Sequence, residues 1–163
     1  MRYDLARARI KSGDVMAWRG TGVVSEFIRR VTGGDYSHVA IAWWSHDHLW
    51  AIQSQGGNET GIFRLSKVVH DHVELDWIAT GLAWSAQVEA RALDLLGKDY
   101  SYLACAAVGL GLTPPAGAQV CSLLCASVLN AGGLKLARKG MTPEMLVSDL
   151  LELGHERVNL QAR

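Results

Sequence analysis

The sequence predicts an α+β protein in which an antiparallel sheet packs against helices, and three observations predict it. Segments rich in β-branched and aromatic residues come first in the chain, and helical patterns dominate its second half. Hydrophobic residues make up 49% of the chain and charged residues 20%, which is enough apolar material for a packed core. The length of 163 residues fits one domain, so we expect a single domain over residues 1–163.

Five segments are predicted to be strands. They share apolar, β-branched or aromatic runs between turns that contain glycine or polar residues, and they cover residues 15–18, 37–44, 48–54, 61–65 and 72–79. The last of them places Val73, Leu75 and Trp77 at alternate positions, which is the two-residue period of a strand with one buried face.

Six segments have helical patterns, at residues 3–10, 23–31, 84–96, 100–108, 120–131 and 143–153. The second of them has Val24, Phe27, Ile28 and Val31 at spacings of three and four, which predicts one apolar helix face. The last begins with a Thr-Pro pair, in which threonine suits the N-cap and proline the first helical position.

The balance of charge argues against nucleic acid as a partner. The chain has 16 basic and 16 acidic residues, so its formal net charge is zero. Nucleic-acid binding normally requires a basic surplus or stripe. We expect a small-molecule, lipid or peptide substrate instead. Because the N-terminus lacks the apolar run of a secretory signal, a cytoplasmic location is expected, and a phage origin is left open.

The stretch from Tyr100 to Leu134 contains no charged residue. A helix needs about 20 continuous apolar residues to cross a membrane. Pro114 and Pro115 divide this stretch, and the piece before the Thr-Pro-Pro run is only 13 residues long. We therefore expect two buried helices and no transmembrane segment, while peripheral contact with a membrane stays open.

Cys121 is the candidate nucleophile. It falls in or near the first turn of the predicted helix at 120–131, where unpaired backbone N–H groups favour an anion. A thiol at that position is expected to lose its proton more easily, and the thiolate is the nucleophile. The alternative is a small buried core residue, which is also how we interpret Cys105 and Cys125. The odd number of cysteines, three, argues against a disulfide framework.

His38 is the candidate proton-transfer group, since it begins the strongest predicted strand. It shares a strand face with Ala40 and Ala42, so a ligand has room to approach the imidazole. The alternative is a structural histidine. The remaining histidines are His46, His48, His70, His72 and His155, and they form no recognised zinc motif. No metal or cofactor is therefore expected.

Three motifs together resemble the circularly permuted NlpC-type cysteine peptidases and amidases. They are Gly13-Asp14-Val15-Met16-Ala17-Trp18-Arg19-Gly20, Tyr36-Ser37-His38-Val39-Ala40-Ile41 and Val120-Cys121-Ser122-Leu123-Leu124, within roughly residues 12–131. The resemblance implies a papain-like fold, with Cys121 as nucleophile and His38 as catalytic histidine. His38 precedes Cys121 by 83 positions, which is the permuted order.

The family places a polar residue, often an acid, on the strand after the histidine strand, and Gln53 is the best match. Glu59 and Asp47 are alternatives, and Gln53 is otherwise an ordinary strand residue. The resemblance implies a cysteine-dependent hydrolase or acyl transferase that acts on an amide or ester through a thioester. A cell-wall peptide amidase similar to an endolysin is one alternative. Because an amide stabilises imidazolium less than a carboxylate does, an inactive binding module that keeps the cleft is the other.

Overall fold

The computed structural model describes residues 1–72, 75–136 and 141–162. A six-stranded antiparallel sheet has the order β4-β3-β2-β1-β5-β6. Its strands are β1 Val15–Trp18, β2 His38–Ser45, β3 His48–Ser54, β4 Thr60–Arg64, β5 Leu75–Ala79 and β6 Glu156–Leu160. The helices are α1 Tyr3–Ala6, α2 Val23–Thr32, α3 Leu65–Asp71, α4 Ala86–Leu93, α5 Tyr102–Gly109, α6 Cys121–Ala131 and α7 Pro143–Glu152. The α+β class and the antiparallel sheet packed against helices are confirmed.

Each face of the sheet buries its own core, because successive strand residues point to opposite sides. Val15, Val39 and Ile41 lie in the core formed with α4, α6 and α7. Met16 and Ala40 lie in the other core, which includes residues of α1 and α3. The helix that begins at Cys121 therefore packs on the Val39 side of β2. No helix among the described residues has the length and apolar character needed to span a membrane.

Two elements are absent from the sequence prediction. The helix α3 buries Leu65, Val68 and Val69, which are spaced by three and four residues as in a helix. A seven-residue segment is too short for this pattern to distinguish a helix from a loop. The strand β6 contains few β-branched residues, and it forms because its backbone pairs with the exposed edge of β5. The predicted helix at 3–10 is wrong beyond Ala6, where turns follow.

The fifth predicted strand begins too early. His72 follows the last residue of α3, and the strand β5 starts at Leu75. The predicted strand residue Val73 lies outside the described residues. Leu75 and Trp77 share one face as predicted, and both belong to the core on the α1 and α3 side.

The Gly-Asp pair before β1 has a structural role. The buried Asp14 carboxylate accepts hydrogen bonds from the backbone N–H of Lys11 at 2.8 Å, from Trp77 Nε1 at 2.8 Å and from the backbone N–H of Thr80 at 3.1 Å. Burial raises the pKa of Asp14, and these hydrogen bonds oppose that effect. The carboxylate thus connects the entry of β1 to β5 and to the loop that follows β5.

Candidate active site

Cys121 is the first residue of α6, and the extended residue Val120 is the N-cap. The backbone N–H of Ser101 donates a hydrogen bond to the carbonyl of Gln119, which holds the chain extended before the helix and sets its start at Cys121. Cys121 is only 3% exposed. The backbone N–H of Val39 donates a hydrogen bond to the Cys121 sulfur. The thiol therefore lies beside the backbone of β2, one residue along from His38.

The imidazole of His38 is oriented by Gln53. The His38 Nε2 atom lies 2.8 Å from Gln53 Oε1. Because an amide oxygen only accepts hydrogen bonds, Nε2 carries the hydrogen and the Nδ1 of the neutral ring keeps its lone pair. The Trp18 ring packs beside the imidazole, with 4.5 Å between the ring centroids. Gln53 thus fixes a tautomer that leaves Nδ1 available as a base.

The thiol and the imidazole approach β2 from different sides. Val39 points to the core of α6, whereas His38 shares its face with Ala40 and Gln53. No hydrogen bond among the described residues joins the Cys121 sulfur to the His38 ring.

Burial controls the protonation of both groups. It raises the pKa of the Cys121 thiol to about 12, against which the Val39 N–H bond acts only partly. It lowers the pKa of His38 to about 4, although the hydrogen bond to Gln53 favours the charged ring. At neutral pH the Cys121 thiol and the His38 imidazole are therefore both neutral. The expectation of a thiol that ionises more easily at the helix N-terminus is wrong here, because burial outweighs the helix.

Two adjoining cavities open onto these groups. The cavity that we call the imidazole cleft has a volume of about 340 Å³ and includes Trp18, His38, Gln53 and His72 in its wall. The other, which we call the thiol slot, has a volume of about 20 Å³ and contains Cys121. The slot is close to the size of one water molecule, so it has to widen before an acyl group reaches the sulfur.

Ile28 and Tyr100 form part of the wall of both cavities. Tyr100 reaches this position because its backbone bridges to Gln119, two residues before Cys121. Its hydroxyl is hydrogen-bonded to the Cys105 thiol, and burial raises the pKa of Tyr100. Tyr100 was not a sequence candidate, since a tyrosine in an apolar stretch carries no signal that it lines a cavity with a cysteine 21 positions away.

His72 also lies in the imidazole cleft, although the sequence predicted only that it begins a strand. Its ring centroid is 4.9 Å from that of Trp18, the same indole that packs against His38. Burial lowers the pKa of His72, so it too is mainly neutral near pH 7. The tripeptide His-Asp-His occurs twice, at residues 46–48 and 70–72, and this repeat is a sequence signal that could have drawn attention to His72.

The other candidates lie elsewhere. Glu59 forms a backbone bridge with Asp99 and does not line the imidazole cleft, and Asp47 lies in the exposed turn between β2 and β3. Cys125 is fully buried in the core, whereas Cys105 is partly buried beside Tyr100. Within residues 1–72, 75–136 and 141–162, no cluster of three or more His, Cys, Asp or Glu side chains is arranged to hold a metal ion.

Comparison with known proteins adds a similarity of fold. No family model and no curated protein matches the chain. A crystal structure described as the metalloprotein yiiX from Escherichia coli O157:H7, DUF1105, superimposes with a TM-score of 0.59 at 15% sequence identity. The match covers 85% of this chain and 79% of that chain. At this level of identity the similarity shows the α+β fold alone.

The Gln53 contact leads to a test by titration. In the Gln53→Glu variant a carboxylate faces Nε2, and its charge stabilises imidazolium. We expect the pKa of His38, followed by NMR of the ring protons, to rise from about 4 towards or above the ordinary histidine value of 6.5. Gln55→Glu is the control, because Gln55 lines the same cleft without a hydrogen bond to His38. Equal shifts in both variants would contradict a specific role of Gln53.

Proposed function

We propose that the protein is a cysteine-dependent hydrolase or acyl transferase with a permuted, papain-like NlpC-type domain over residues 1–163. The observation that carries the proposal is the placement of the Cys121 thiol at the start of α6, one residue along β2 from an imidazole whose tautomer is set by Gln53. A nucleophile, a base and a group that orients the base are the parts that thiol acyl transfer requires.

In the proposed reaction the Cys121 sulfur attacks the carbonyl carbon of an amide or ester, and its proton passes to Nδ1 of His38. Because both groups are neutral at rest, the proton moves during the attack, after substrate has opened the slot and brought ring and sulfur together. The backbone N–H of Cys121, at the start of α6, stabilises the oxyanion. Collapse breaks the bond to the amine or alcohol, which takes the proton from His38.

The resulting thioester is cleaved by water or by another acceptor, which gives up a proton to His38 as it attacks. The thiol is regenerated when the tetrahedral intermediate collapses and the proton returns to sulfur. The lining of the thiol slot favours an apolar acyl group, since Phe27, Ile28, Val108 and Val120 form much of it. The competing assignment is a cell-wall peptide amidase, whose substrate is peptidoglycan. Parallel activity assays with peptidoglycan fragments and with lipid amides distinguish the two substrate classes.

A binding module without turnover is the second candidate function. The buried thiol with its raised pKa favours it, because only a thiolate is a strong nucleophile. The neutral amide of Gln53 favours it as well, since it stabilises imidazolium less than a carboxylate would.

An acylating probe distinguishes catalysis from binding. We expect an alkyne-tagged aliphatic β-lactone, which leaves an acyl group on sulfur when its ring opens, to label Cys121 as located by peptide mass spectrometry. Labelling should disappear in Cys121→Ala, fall strongly in His38→Ala and persist in Cys125→Ala, the matched control one helical turn away. Equal labelling of Cys105 or Cys125 would contradict the assignment of the nucleophile. An unreactive Cys121 in a folded protein would favour the binding module.

A further inference from the structure

The imidazole cleft contains hydrogen-bond donors that have no acceptor. Gln53 is only 5% exposed, and its Oε1 atom accepts from His38, whereas its Nε2 atom donates to no described residue. Because Gln53 lines the cleft, this amide donor faces the cavity. The Ser25 hydroxyl and the His72 imidazole belong to the same wall and likewise make no hydrogen bond to a described residue. Buried donors normally have partners, so this wall indicates a ligand that is rich in acceptor atoms.

The N-terminal end of α2 borders the same cavity. Gly20, Thr21 and the N-cap Gly22 line the wall together with Ser25 of the first turn. No side chain caps this end, so the backbone N–H groups of the first turn lack a partner within the helix. Gly22 has a φ of 107°, and nothing lies within 4 Å of the position that a Cβ atom would take there. The uncovered helix start adds a partial positive charge to the donors of the wall.

The described wall of the cleft has no Asp, Glu, Lys or Arg side chain. Carboxylates that are close in sequence to wall residues lie outside it. Three of these form ion pairs, namely Glu26 with Arg30, Asp35 with Arg19 and Asp71 with Lys67. Glu59 and Asp99 line a separate cavity that shares Tyr100 with the cleft. The donors and the helix start therefore set the local field, which favours an anion over a cation.

We propose that the imidazole cleft binds an oxyanion, the phosphate or carboxylate group of a ligand, at the N-terminal end of α2. The hydroxyls of Thr21 and Ser25, the Gln53 amide and a ring N–H of His72 supply hydrogen bonds to it. The role of this ligand rests on the proposed function: because His38 lies in the same wall, the bound group is part of the leaving amine or alcohol, and the acyl group occupies the thiol slot. The binding itself does not depend on catalysis.

Titration followed by NMR tests the site without requiring turnover. We expect phenyl phosphate or benzoate to shift the side-chain amide signals of Gln53 and the ring signals of His72 in the wild-type protein. Benzyl alcohol, their uncharged counterpart, should bind at least roughly tenfold more weakly, because hydrogen bonds to a charged acceptor are the stronger ones. Comparing the two anions distinguishes a phosphate-bearing from a carboxylate-bearing leaving group.

Substitutions at Thr21 test the charge preference, because this residue is exposed and lies just before the helix. Thr21→Asp places a negative charge in the wall and should weaken anion binding roughly tenfold, whereas Thr21→Lys should strengthen it. The control is Gln87→Glu, which adds the same unit of negative charge at an exposed position of α4 outside the wall and should bind as the wild type does. Circular dichroism checks that each variant is folded.

The outcomes separate the anion site from the proposed catalysis. Equal binding of benzyl alcohol, or no binding of either anion, would overturn the inference and would leave the acylation of Cys121 to its own test. An equal loss of binding in Thr21→Asp and Gln87→Glu would overturn it too, since net charge alone would then be the cause. Anion binding combined with an unreactive Cys121 thiol supports the site and counts only against the proposed catalysis.

Discussion

Replacing Asp14 with alanine is expected to lower the free energy of unfolding by about 3–5 kcal/mol, since two buried donors and one partly buried donor lose their acceptor at roughly 1–3 kcal/mol each, less relaxation. The donors are the backbone N–H groups of Lys11 and Thr80 and the Trp77 indole N–H. Asp14 is only 2% exposed, so water cannot replace the carboxylate without opening the entry of β1. Urea unfolding followed by tryptophan fluorescence measures the loss.

Two comparisons make the Asp14 result specific. Asp14→Asn keeps the shape and one acceptor oxygen and removes a charge that burial disfavours, so its loss should be clearly smaller than that of Asp14→Ala. Asp99→Ala removes an exposed carboxylate and should change stability by roughly 0.5 kcal/mol or less. A loss below about 1 kcal/mol in Asp14→Ala would contradict the assigned role of the carboxylate.

Removing the His38 imidazole is expected to reduce kcat/KM for an ester or thioester reporter on the order of 10²–10⁴-fold, the usual contribution of a general base. In the wild-type protein the acid limb of the pH profile of kcat/KM should lie near pH 4, because burial lowers the pKa of His38 to about 4. The neutral ring accepts a proton above that pH, and the protonated ring below it does not. Initial rates measured between pH 3.5 and 8 locate the midpoint of this acid limb.

The control for His38→Ala is His70→Ala, which removes an imidazole whose side chain is 83% exposed on α3. That variant should keep the wild-type rate and pH profile. An acid limb near the ordinary histidine value of about 6.5 would show that the His38 ring is solvated during turnover. An unchanged rate in His38→Ala would show that another group takes the thiol proton.

The same burial makes the stability of the fold depend on pH. The pKa of folded His38 lies below its ordinary value of 6.5, so the unfolded chain binds more protons between about pH 4 and 6.5. The contribution of the half-buried neutral ring is therefore complete above pH 6.5 and is lost as the pH falls towards 4. The pH profile of kcat/KM is therefore interpreted only over the pH range in which unfolding measurements show that the protein is folded.

Local patterns were sufficient for much of the fold. The bounds predicted for the β1 and β3 strands agree with the structure, because both are apolar runs between strong turns. Thr142 caps α7 through a hydrogen bond from the backbone N–H of Met145, as the Thr-Pro pair predicted. The strand β6 was missed because its stability comes from pairing with β5, a contact between segments about 80 residues apart.

Residue order and local motifs by themselves determined the α+β class, most of the elements and the candidates Cys121 and His38, and the family resemblance added Gln53. Only the tertiary structure decided that Gln53 meets Nε2, that Tyr100 and His72 line the two cavities, and that the thiol and the imidazole are both neutral at rest. The physical reason is that hydrogen bonding between strands and loss of water depend on segments distant in sequence. A periodic pattern describes a helix or strand, whereas a pKa depends on everything packed around the group.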